Sequence, residues 1–459
     1  MFLSGGFSLT RSYSALRLEA FVKAAECAWL RVRREFPEVV LGPSSGQGDD
    51  GSILLELKVP GSDGEAREWM RRSLFFGICE EGKRVEEEMR HTVPSQPVCV
   101  RLNARVDQEC KVSGVDFAFR VDHMTADGVG AYIVTACFLK FLANAVGGRE
   151  QTFDWKALNG EIPTPWVGMM NTDQRTEGKE FDEGAKSLTN LVMEANKNEW
   201  GMEVVSNDGY MPKAIHKRFS VEESNAILRA VKKKLGKKCS VTHLGHAAMV
   251  MTMLKFKPLQ ERPTHTAHLV SPLFINGRKY LDRGVPRSQS CISLCRAISA
   301  IEFRDVDGYI LSDNAGKDEV QAKLRLAASE ASRSYEAVRD QKSLLTESFS
   351  VAEYMAKAKN DLKASNGKKI ADAFFLSDGL IETHISRSYY DETQTRKVLE
   401  VDDVQFTANP SGPSLIIRMS SFRQAINLSA EWNGACYVDE NIEKFLDSVQ
   451  ELMLSLTRD

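Results

Sequence analysis

A strand, a short loop and an apolar helix at residues 115–148 constrain most strongly what this chain can fold into. Apolar residues at every second position share one face of the predicted strand: Val115, Phe117, Phe119 and Val121. His123 continues the alternation, which predicts that its imidazole points into the interior. Asp127 and Gly128 follow, and the apolar run at 129–146 predicts a helix. An inward imidazole at the end of a strand, with an acid four residues later, is the best functional clue.

Length and composition narrow the class of protein. A chain of 459 residues exceeds the usual size of one core, so we expect two domains. Sixty basic and 63 acidic residues give a net charge of −3, which offers no general attraction to nucleic acid or to an anionic membrane. No apolar run is expected to approach the ~20 residues of a membrane span, and the first residues lack a secretory signal. Nine scattered cysteines predict reduced thiols in a cytoplasmic protein.

The first part of the chain alternates helical and strand patterns, which predicts a mixed α/β (α+β) fold. The predicted helices and strands, beside the strand, loop and helix described above, are a helix at 15–36, a strand at 38–41, a strand at 52–59, a charged amphipathic helix at 65–90 and a strand at 97–106. The alternation of helical and strand patterns becomes irregular between about residues 157 and 212. We therefore predict an N-terminal lobe at 1–158 and a crossover linker at 159–212.

The second part of the chain again alternates helical and strand patterns, which predicts a C-terminal lobe at 213–459. A capping box, Ser220 to Glu223, opens a helix that continues to Leu235. The other predicted elements are helices at 241–255, 317–339 and 440–456, the last with Asp439 as N-cap, strands at 267–276 and 297–304, and a meander of three strands at 397–407, 413–420 and 425–432.

Several short motifs have ordinary explanations. Gly42 to Gly46 matches the G-x-S-x-G nucleophile elbow around Ser44, but a loop and a strand follow where that motif needs a helix. The segment 46–51 matches G-x-G-x-x-G, but it precedes a strand and contains two aspartates that would repel phosphate, so we reject it. Two H-x-x-H pairs, at 243–246 and 265–268, lack a convincing third ligand, so no metal site is predicted. Lys237 and Lys238 fit a solvated helix end or a phosphate contact.

His123 and Asp127 have a structural and a catalytic interpretation. In the structural one, the histidine is a satisfied core residue and the aspartate caps the helix that begins at Gly128, which alone would contribute about 1 kcal/mol. In the catalytic one, the imidazole is a general base, the role that histidine commonly fills. The residues alone leave both open.

The motif H123-M-T-A-D-G128 at a strand-to-helix junction resembles the H-x-x-x-D-G signature of the chloramphenicol-acetyltransferase-like superfamily, which includes the BAHD acyltransferases. Further stretches are similar to its fungal trichothecene 15-O-acetyltransferase branch, and together they extend from about Leu16 to Leu456. These stretches begin at A214-I-H-K-R-F, V241-T-H-L-G-H, F375-L-S-D-G, V401-D-D-V-Q-F and Arg418. The BAHD motif D-F-G-W-G is absent, and F406-T-A-N-P-S-G-P occupies its place.

The resemblance implies two pseudo-equivalent domains with a channel between them and an O-acyltransferase activity. His123 would act in that channel as general base on an acceptor alcohol, with acyl-CoA, most simply acetyl-CoA, as co-substrate. Asp127 and Gly128 would shape the loop, with Arg278 as the structural partner of Asp127 and Arg283 as the alternative. Ser377 would donate to the tetrahedral intermediate, unless it is only a turn residue.

The remaining implied features concern binding and partners. Lys237 and Lys238 are candidates for CoA, and the candidates for the channel wall are Trp155, His246 and Trp432. No bound cofactor, metal or nucleic acid is expected, and the family predicts a monomer.

Three rival functions remain open. The same fold serves condensation enzymes that use a carrier-protein thioester, and activity with acyl-CoA alone would exclude that donor requirement. A cyclase on this fold would leave the mass of its substrate unchanged, whereas acylation adds mass. A silent binding protein would convert neither an acyl donor nor a cyclase substrate.

Overall fold

The computed structural model describes residues 1–47, 53–90, 96–148, 164–195, 201–206, 208–256, 268–285, 290–312, 314–353, 370–371 and 373–458. The helices in this part of the chain are α1 (Leu18–Glu35), α2 (Asp63–Ser73), α3 (Val85–Arg90), α4 (Gly128–Val146), α5 (Lys179–Ala195), α6 (Val221–Ala230), α7 (Val241–Phe256), α8 (Lys317–Arg339), α9 (described at 344–353) and α10 (Asp439–Ser455). A π-helical turn, Val231–Leu235, continues α6.

The described strands are β1 (Phe2–Leu9), β2 (Gly42–Gln47), β3 (Ile53–Glu56), β4 (Leu74–Ile78), β5 (Val98–Val106), β6 (Val112–Val121), β7 (Met202–Glu203), β8 (Pro212–Arg218), β9 (His268–Asn276), β10 (Arg296–Arg304), β11 (Ile370–Ala371), β12 (Ala373–Leu380), β13 (Ser388–Tyr390), β14 (Lys397–Thr407), β15 (Leu415–Phe422) and β16 (Ala425–Asn433). The mixed α/β prediction is confirmed.

The chain folds into two compact units, each assembled from separate stretches of sequence. The first unit comprises Met1–Met169, Leu281–Cys295 and Ile381–Thr407, and the second comprises Met170–Tyr280, Arg296–Leu380 and Ala408–Asp459. These units differ from the contiguous ranges 1–158 and 213–459 predicted from the sequence. The described part of the predicted linker at 159–212 includes α5, which packs on β9 and β10 of the second unit.

The first unit is built on a six-stranded sheet in the order β13-β14-β1-β6-β5-β4. All neighbours are antiparallel except β4 and β5, which are parallel. Helices α1 and α4 pack on each other, and aromatic rings join them to the sheet. Phe119 of β6 has its ring centroid 6.1 Å from that of Trp29 and 5.4 Å from that of Phe138. All three side chains are fully buried, so this cluster is the core beneath the β6–α4 junction.

Helix α4 combines unusual length with an apolar composition. It is the one described helix whose length and composition would suffice to cross a membrane, and more than half of it is buried inside the fold. A buried core helix passes the same test, so this observation is weak evidence for a membrane span. The expectation that no apolar run approaches membrane length was therefore too strong.

The second unit contains a four-stranded sheet in the order β12-β15-β16-β8. β12 and β15 are parallel, and the other neighbours are antiparallel. A separate antiparallel pair, β9 with β10, lies beside β12. Helix α7 packs on β12 and β15, and α8 and α10 pack on α7.

Several predictions of elements are wrong in identifiable ways. The helix predicted at 65–90 is two helices separated by β4, because Leu74–Ile78 pairs with β5. The strand predicted at 38–41 is a 3₁₀ turn, Pro37–Val40. The three C-terminal strands are not a meander, since β14 joins β1 in the first unit whereas β15 and β16 pair in the second. Strand β1 was not predicted at all.

The caps give one confirmation and one correction. Ser220 and Glu223 form both hydrogen bonds of the predicted capping box. Asp439 is not the N-cap of α10, since Val438 occupies that position. Instead, the carboxylate of Asp439 accepts from the Trp432 indole N–H and forms an ion pair with Lys213.

Candidate active site

His123 lies in a turn after β6, and its side chain is exposed. The alternating face of β6 is buried as predicted, but the prediction that His123 continues it inward is wrong. β6 ends at Val121, and Asp122 then reverses the chain. The Asp122 N–H donates to the Pro97 carbonyl at 2.8 Å as the last bond of the β5–β6 pairing. The Asp122 carboxylate accepts from the Met124 N–H at 2.8 Å, which begins the turn. The period-two rule applies only to extended backbone, so it stops at this turn.

Hydrogen bonds to the carbonyls of Asp122 and Leu41 hold the turn. The N–H groups of Thr125 and Ala126 both donate to the Asp122 carbonyl, at 3.1 and 3.2 Å. The Thr125 hydroxyl donates to the Leu41 carbonyl at 3.3 Å. An exposed imidazole on an anchored turn is accessible to a ligand and can act as a base there.

Asp127 is buried and joins two segments that are far apart in sequence. One carboxylate oxygen accepts from the Gly130 N–H at 2.8 Å, which caps α4. The other accepts from the Cys295 N–H at 3.0 Å. Hydrogen bonds to a charged acceptor are stronger than neutral ones. The carboxylate therefore binds the His123 loop to residues 290–295, and the capping function considered from the sequence is present.

The two glycines after Asp127 have different surroundings. A Cβ built on Gly128 would lie 3.6 Å from the Phe406 ring, which is ordinary contact. A Cβ built on Gly130 would overlap the Ile292 carbonyl oxygen and lie 2.9 Å from its carbon. Gly130 therefore permits a close approach between α4 and the segment at 290–295, although Gly128 is the glycine of the signature.

Ser377 lies on β12, not in a simple turn. The strand register shifts between Ser377 and Gly379, so a bulge follows the serine. Its half-buried hydroxyl is 3.0 Å from the hydroxyl of Thr242, the second residue of α7. Thr242 was not predicted from the sequence, because nothing local relates the start of one helix to a strand about 130 residues later.

A buried ion-pair network next to Ser377 was also missed. The Arg418 guanidinium contacts Glu431, with Nε 2.7 Å from Oε1, and Asp378, with Nη1 2.9 Å from Oδ1. Glu431 is fully buried and also accepts from the Ala408 N–H at 2.7 Å. The signal in the sequence was a pair of opposite charges inside two apolar strands, β15 and β16. Such charges are buried only when paired.

Two of the three residues predicted to line the channel wall, His246 and Trp432, are buried. His246 is fully buried, and its ring nitrogens lie 3.2 Å from the Tyr335 hydroxyl and 2.8 Å from the Ser271 hydroxyl. Burial, and then the charge of His243, lowers the pKa of His246 to about 3. Trp432 is 2% exposed. Because neither side chain has a face that a ligand could touch, both predictions as channel-wall residues are wrong. Trp155 lies outside the described residues.

The roles of Arg278, Lys237 and Lys238 stay predictions, and the structure shows where these residues lie. Arg278 lies in the turn Gly277–Tyr280, where its backbone N–H and a guanidinium N–H approach Asn276 Oδ1 at 3.1 and 3.3 Å. Its pairing with Asp127 stays a prediction. Lys237 and Lys238 are exposed, and Lys238 Nζ lies 3.2 Å from Glu336.

The described ranges offer neither a cluster of metal ligands nor a disulfide. Those residues contain no group of three or more His, Cys, Asp or Glu side chains that could hold a metal ion. All nine cysteines lie within the described ranges, and none of them forms a disulfide there.

Comparison with known proteins identifies similar sequences and folds. The family model described as 15-O-acetyltransferase Tri3 matches residues 3–356. Trichothecene 15-O-acetyltransferase TRI3 of Fusarium sporotrichioides is 24% identical, over 96% of this chain and 86% of that protein. Trichothecene O-acetyltransferase TRI3 of Trichoderma arundinaceum is 26% identical, over 94% and 84%.

Solved structures show the same fold. The structure of TRI3 trichothecene 15-O-acetyltransferase from Fusarium sporotrichioides matches with a TM-score of 0.87 and 23% identity, over 99% of this chain and 90% of that one. The epimerization domain of tyrocidine synthetase B matches with a TM-score of 0.58 and 12% identity, over 99% and 92%. The predicted two-domain fold of the chloramphenicol-acetyltransferase type is confirmed.

Proposed function

This chain belongs to the 15-O-acetyltransferase Tri3 family and is an acyltransferase, and from that premise we propose that it moves an acetyl group from acetyl-CoA to a hydroxyl of a fungal secondary metabolite. The observation that carries the proposal is His123 on an anchored, exposed turn, four residues before the buried Asp127 that begins α4. The names of the relatives suggest a trichothecene alcohol as acceptor.

His123 is proposed as the general base. A CoA thioester is already activated, whereas an alcohol is a poor nucleophile at neutral pH. As the new C–O bond forms, the imidazole takes the hydroxyl proton, and the C–S bond then breaks. The same proton passes from the imidazolium to the departing CoA thiolate, so the base returns to its starting form. No covalent acyl-enzyme is needed in this direct transfer.

Asp127 is proposed to hold the loop instead of exchanging protons. Its two carboxylate oxygens accept from the N–H groups of Gly130 and Cys295, which fixes the start of α4 and the turn that carries His123. Reacting groups must be held to within a fraction of an ångström for efficient transfer. Arg278 remains the proposed charge partner of Asp127, since a nearby cation favours the charged form of a buried carboxylate.

Ser377 is proposed as the hydrogen-bond donor to the carbonyl oxygen, which becomes negatively charged in the tetrahedral intermediate. Removing one such donor from an acyl-transfer enzyme typically costs about 10²–10³-fold in kcat. Lys237 and Lys238 are proposed to contact the phosphates of CoA, and Lys238 would have to exchange its ion pair with Glu336 to do so. Trp155 remains a candidate for the acceptor site. We propose a cytoplasmic monomer.

Mass spectrometry of the purified protein incubated with acetyl-CoA and trichothecene alcohols carrying a free 15-hydroxyl tests the function. We expect the mass of one acetyl group on the product and an equivalent amount of free CoA. A product of unchanged mass would indicate a cyclase. Transfer only from an acetylated carrier protein would indicate a condensation-type enzyme, and binding without turnover would indicate a silent protein.

His123→Ala tests the proposed base. General-base catalysis contributes about 10²–10⁴-fold, so we expect turnover to fall by that factor while the melting temperature stays unchanged. His268→Ala is the matched control, because His268 is a half-exposed histidine of β9 in the second unit. Wild-type turnover in His123→Ala would refute the assignment.

A further inference from the structure

The hydroxyl of Ser377 has a defined partner on another element of the second unit. Ser377 Oγ lies 3.0 Å from Thr242 Oγ1, and either oxygen can donate. A hydroxyl has one proton and two lone pairs. If Ser377 gives its proton to a substrate oxygen, as the proposed function requires, the proton between the two side chains must come from Thr242.

Helix α7 is held against β12 closely enough to fix this contact. Thr242, Gly245 and His246 lie on one face of the helix, three and four residues apart. A Cβ on Gly245 would lie 2.9 Å from both the Phe375 ring and the Met419 sulfur, so a larger residue would push α7 off the sheet. The imidazole of His246 stacks on Phe375 with its centroid 4.8 Å away.

The position of His246 is fixed in turn by its two ring nitrogens, which contact hydroxyls on α8 and β9. Phe375 is two residues before Ser377 and is fully buried. The distance between Thr242 and Ser377 is therefore set by packed side chains and a fixed ring, not by a mobile loop.

We propose that Thr242 is a positioning residue that donates to Ser377 and directs the Ser377 proton towards the carbonyl oxygen of the acyl donor. The inference rests on the proposed acetyl transfer and on the donor function of Ser377. Hydrogen bonds in a chain polarise one another, so a donor behind Ser377 strengthens the bond that Ser377 makes. No covalent bond to either hydroxyl forms, and both protons remain on their oxygens.

A double-mutant cycle tests this assignment. The variants are Thr242→Val, Thr242→Ser, Ser377→Ala and the double variant Thr242→Val/Ser377→Ala. Each is assayed for CoA release and product mass with acetyl-CoA and the alcohol that the wild-type protein acetylates. We expect kcat to fall about 10²-fold in Ser377→Ala and about 10-fold in Thr242→Val, which is the net contribution of one hydrogen bond, with KM for acetyl-CoA changed less than about 2-fold.

Thr242 acts through Ser377, so the double variant should be no slower than Ser377→Ala. Thr242→Ser keeps the hydroxyl and should restore kcat to within about 3-fold of the wild type. Thr252→Val is the control on the same helix, because Thr252 is a buried threonine whose hydroxyl donates within its own helix, to the Ala248 carbonyl. It should leave kcat unchanged.

The outcomes separate this inference from the function on which it rests. If the wild type is active and His123→Ala is not, but Thr242→Val is as fast as the wild type, the inference about Thr242 is wrong and the function stands. Additive losses in the double variant, or a lowered melting temperature that accounts for the loss in Thr242→Val, would likewise overturn it. If the wild type releases no CoA with any alcohol, both proposals fall.

Discussion

Replacing Gly130 by alanine should destabilise the first unit much more than the same replacement at Gly128, two residues earlier on α4. The signature of the sequence contains Gly128, so sequence reasoning alone would expect the opposite order. In the structure, the close approach is at Gly130, where a Cβ would overlap the Ile292 carbonyl oxygen. Backbone atoms cannot rotate away as the end of a flexible side chain can, so the whole segment at 290–295 must move.

The magnitude follows from two costs and one gain. Moving a packed segment typically costs about 1–3 kcal/mol. The movement also breaks the bond between the Cys295 N–H and the Asp127 carboxylate, and a bond to a charged group contributes about 1.5–3 kcal/mol. Alanine is intrinsically better than glycine inside a helix by about 1 kcal/mol. We therefore expect a net loss of about 1.5–5 kcal/mol for Gly130→Ala and no loss for Gly128→Ala, where the added Cβ meets only ordinary contacts.

Hydrogen exchange and thermal unfolding provide the readouts. Hydrogen exchange reports the loss at the affected segment directly, because two units can unfold in separate transitions. In Gly130→Ala, peptides that contain Gly130 or Cys295 should exchange faster than in the wild type, and the melting temperature should fall. Wild-type exchange at Cys295 in Gly130→Ala, or a larger loss in Gly128→Ala, would refute the reasoning.

Two further substitutions test buried polar groups of the second unit. Arg418→Met removes the Arg418 cation from Glu431 and Asp378, so the free energy of unfolding in urea should fall by about 3–5 kcal/mol. The control is Lys397→Met at an exposed ion pair, which should change that free energy by less than about 1 kcal/mol. Equal effects would contradict the expected difference between buried and exposed pairs. The folded-state pKa of His246 is lowered to about 3, so as the pH falls below about 6.5 the unfolded chain binds a proton that the folded chain does not. His246 should therefore account for a loss of about 2 kcal/mol of stability between pH 7 and pH 5, and that part of the pH dependence should be absent in His246→Gln.

The site was predictable where its determinants are local. The aspartate four residues after His123 stands where an N-cap is needed, and Asp127 does cap α4. The direction of His123 was not predictable by counting along the strand, because the Asp122 carbonyl and carboxylate accept from N–H groups of the next residues and turn the chain there. Counting every second residue assumes extended backbone, so it does not detect such a turn.

The wall predictions failed for a related reason. His246 and Trp432 are both buried, and their ring nitrogens are hydrogen-bonded within the fold. A polar atom in a core is tolerated when a partner is within reach, and that partner comes from another element. Thr242 was missed because its importance depends on Ser377, which lies on a distant strand.

The sequence by itself determined helix α8 and the capping box at Ser220, because contacts three and four residues apart are local. The tertiary structure decided which strands pair. β1 lies between β6 and β14, about 110 and 400 residues along the chain, and no pattern within β1 names those partners. Packing between distant stretches likewise places the segment at 290–295, which binds Asp127, and sets β12 beside β15, which brings Asp378 to Arg418.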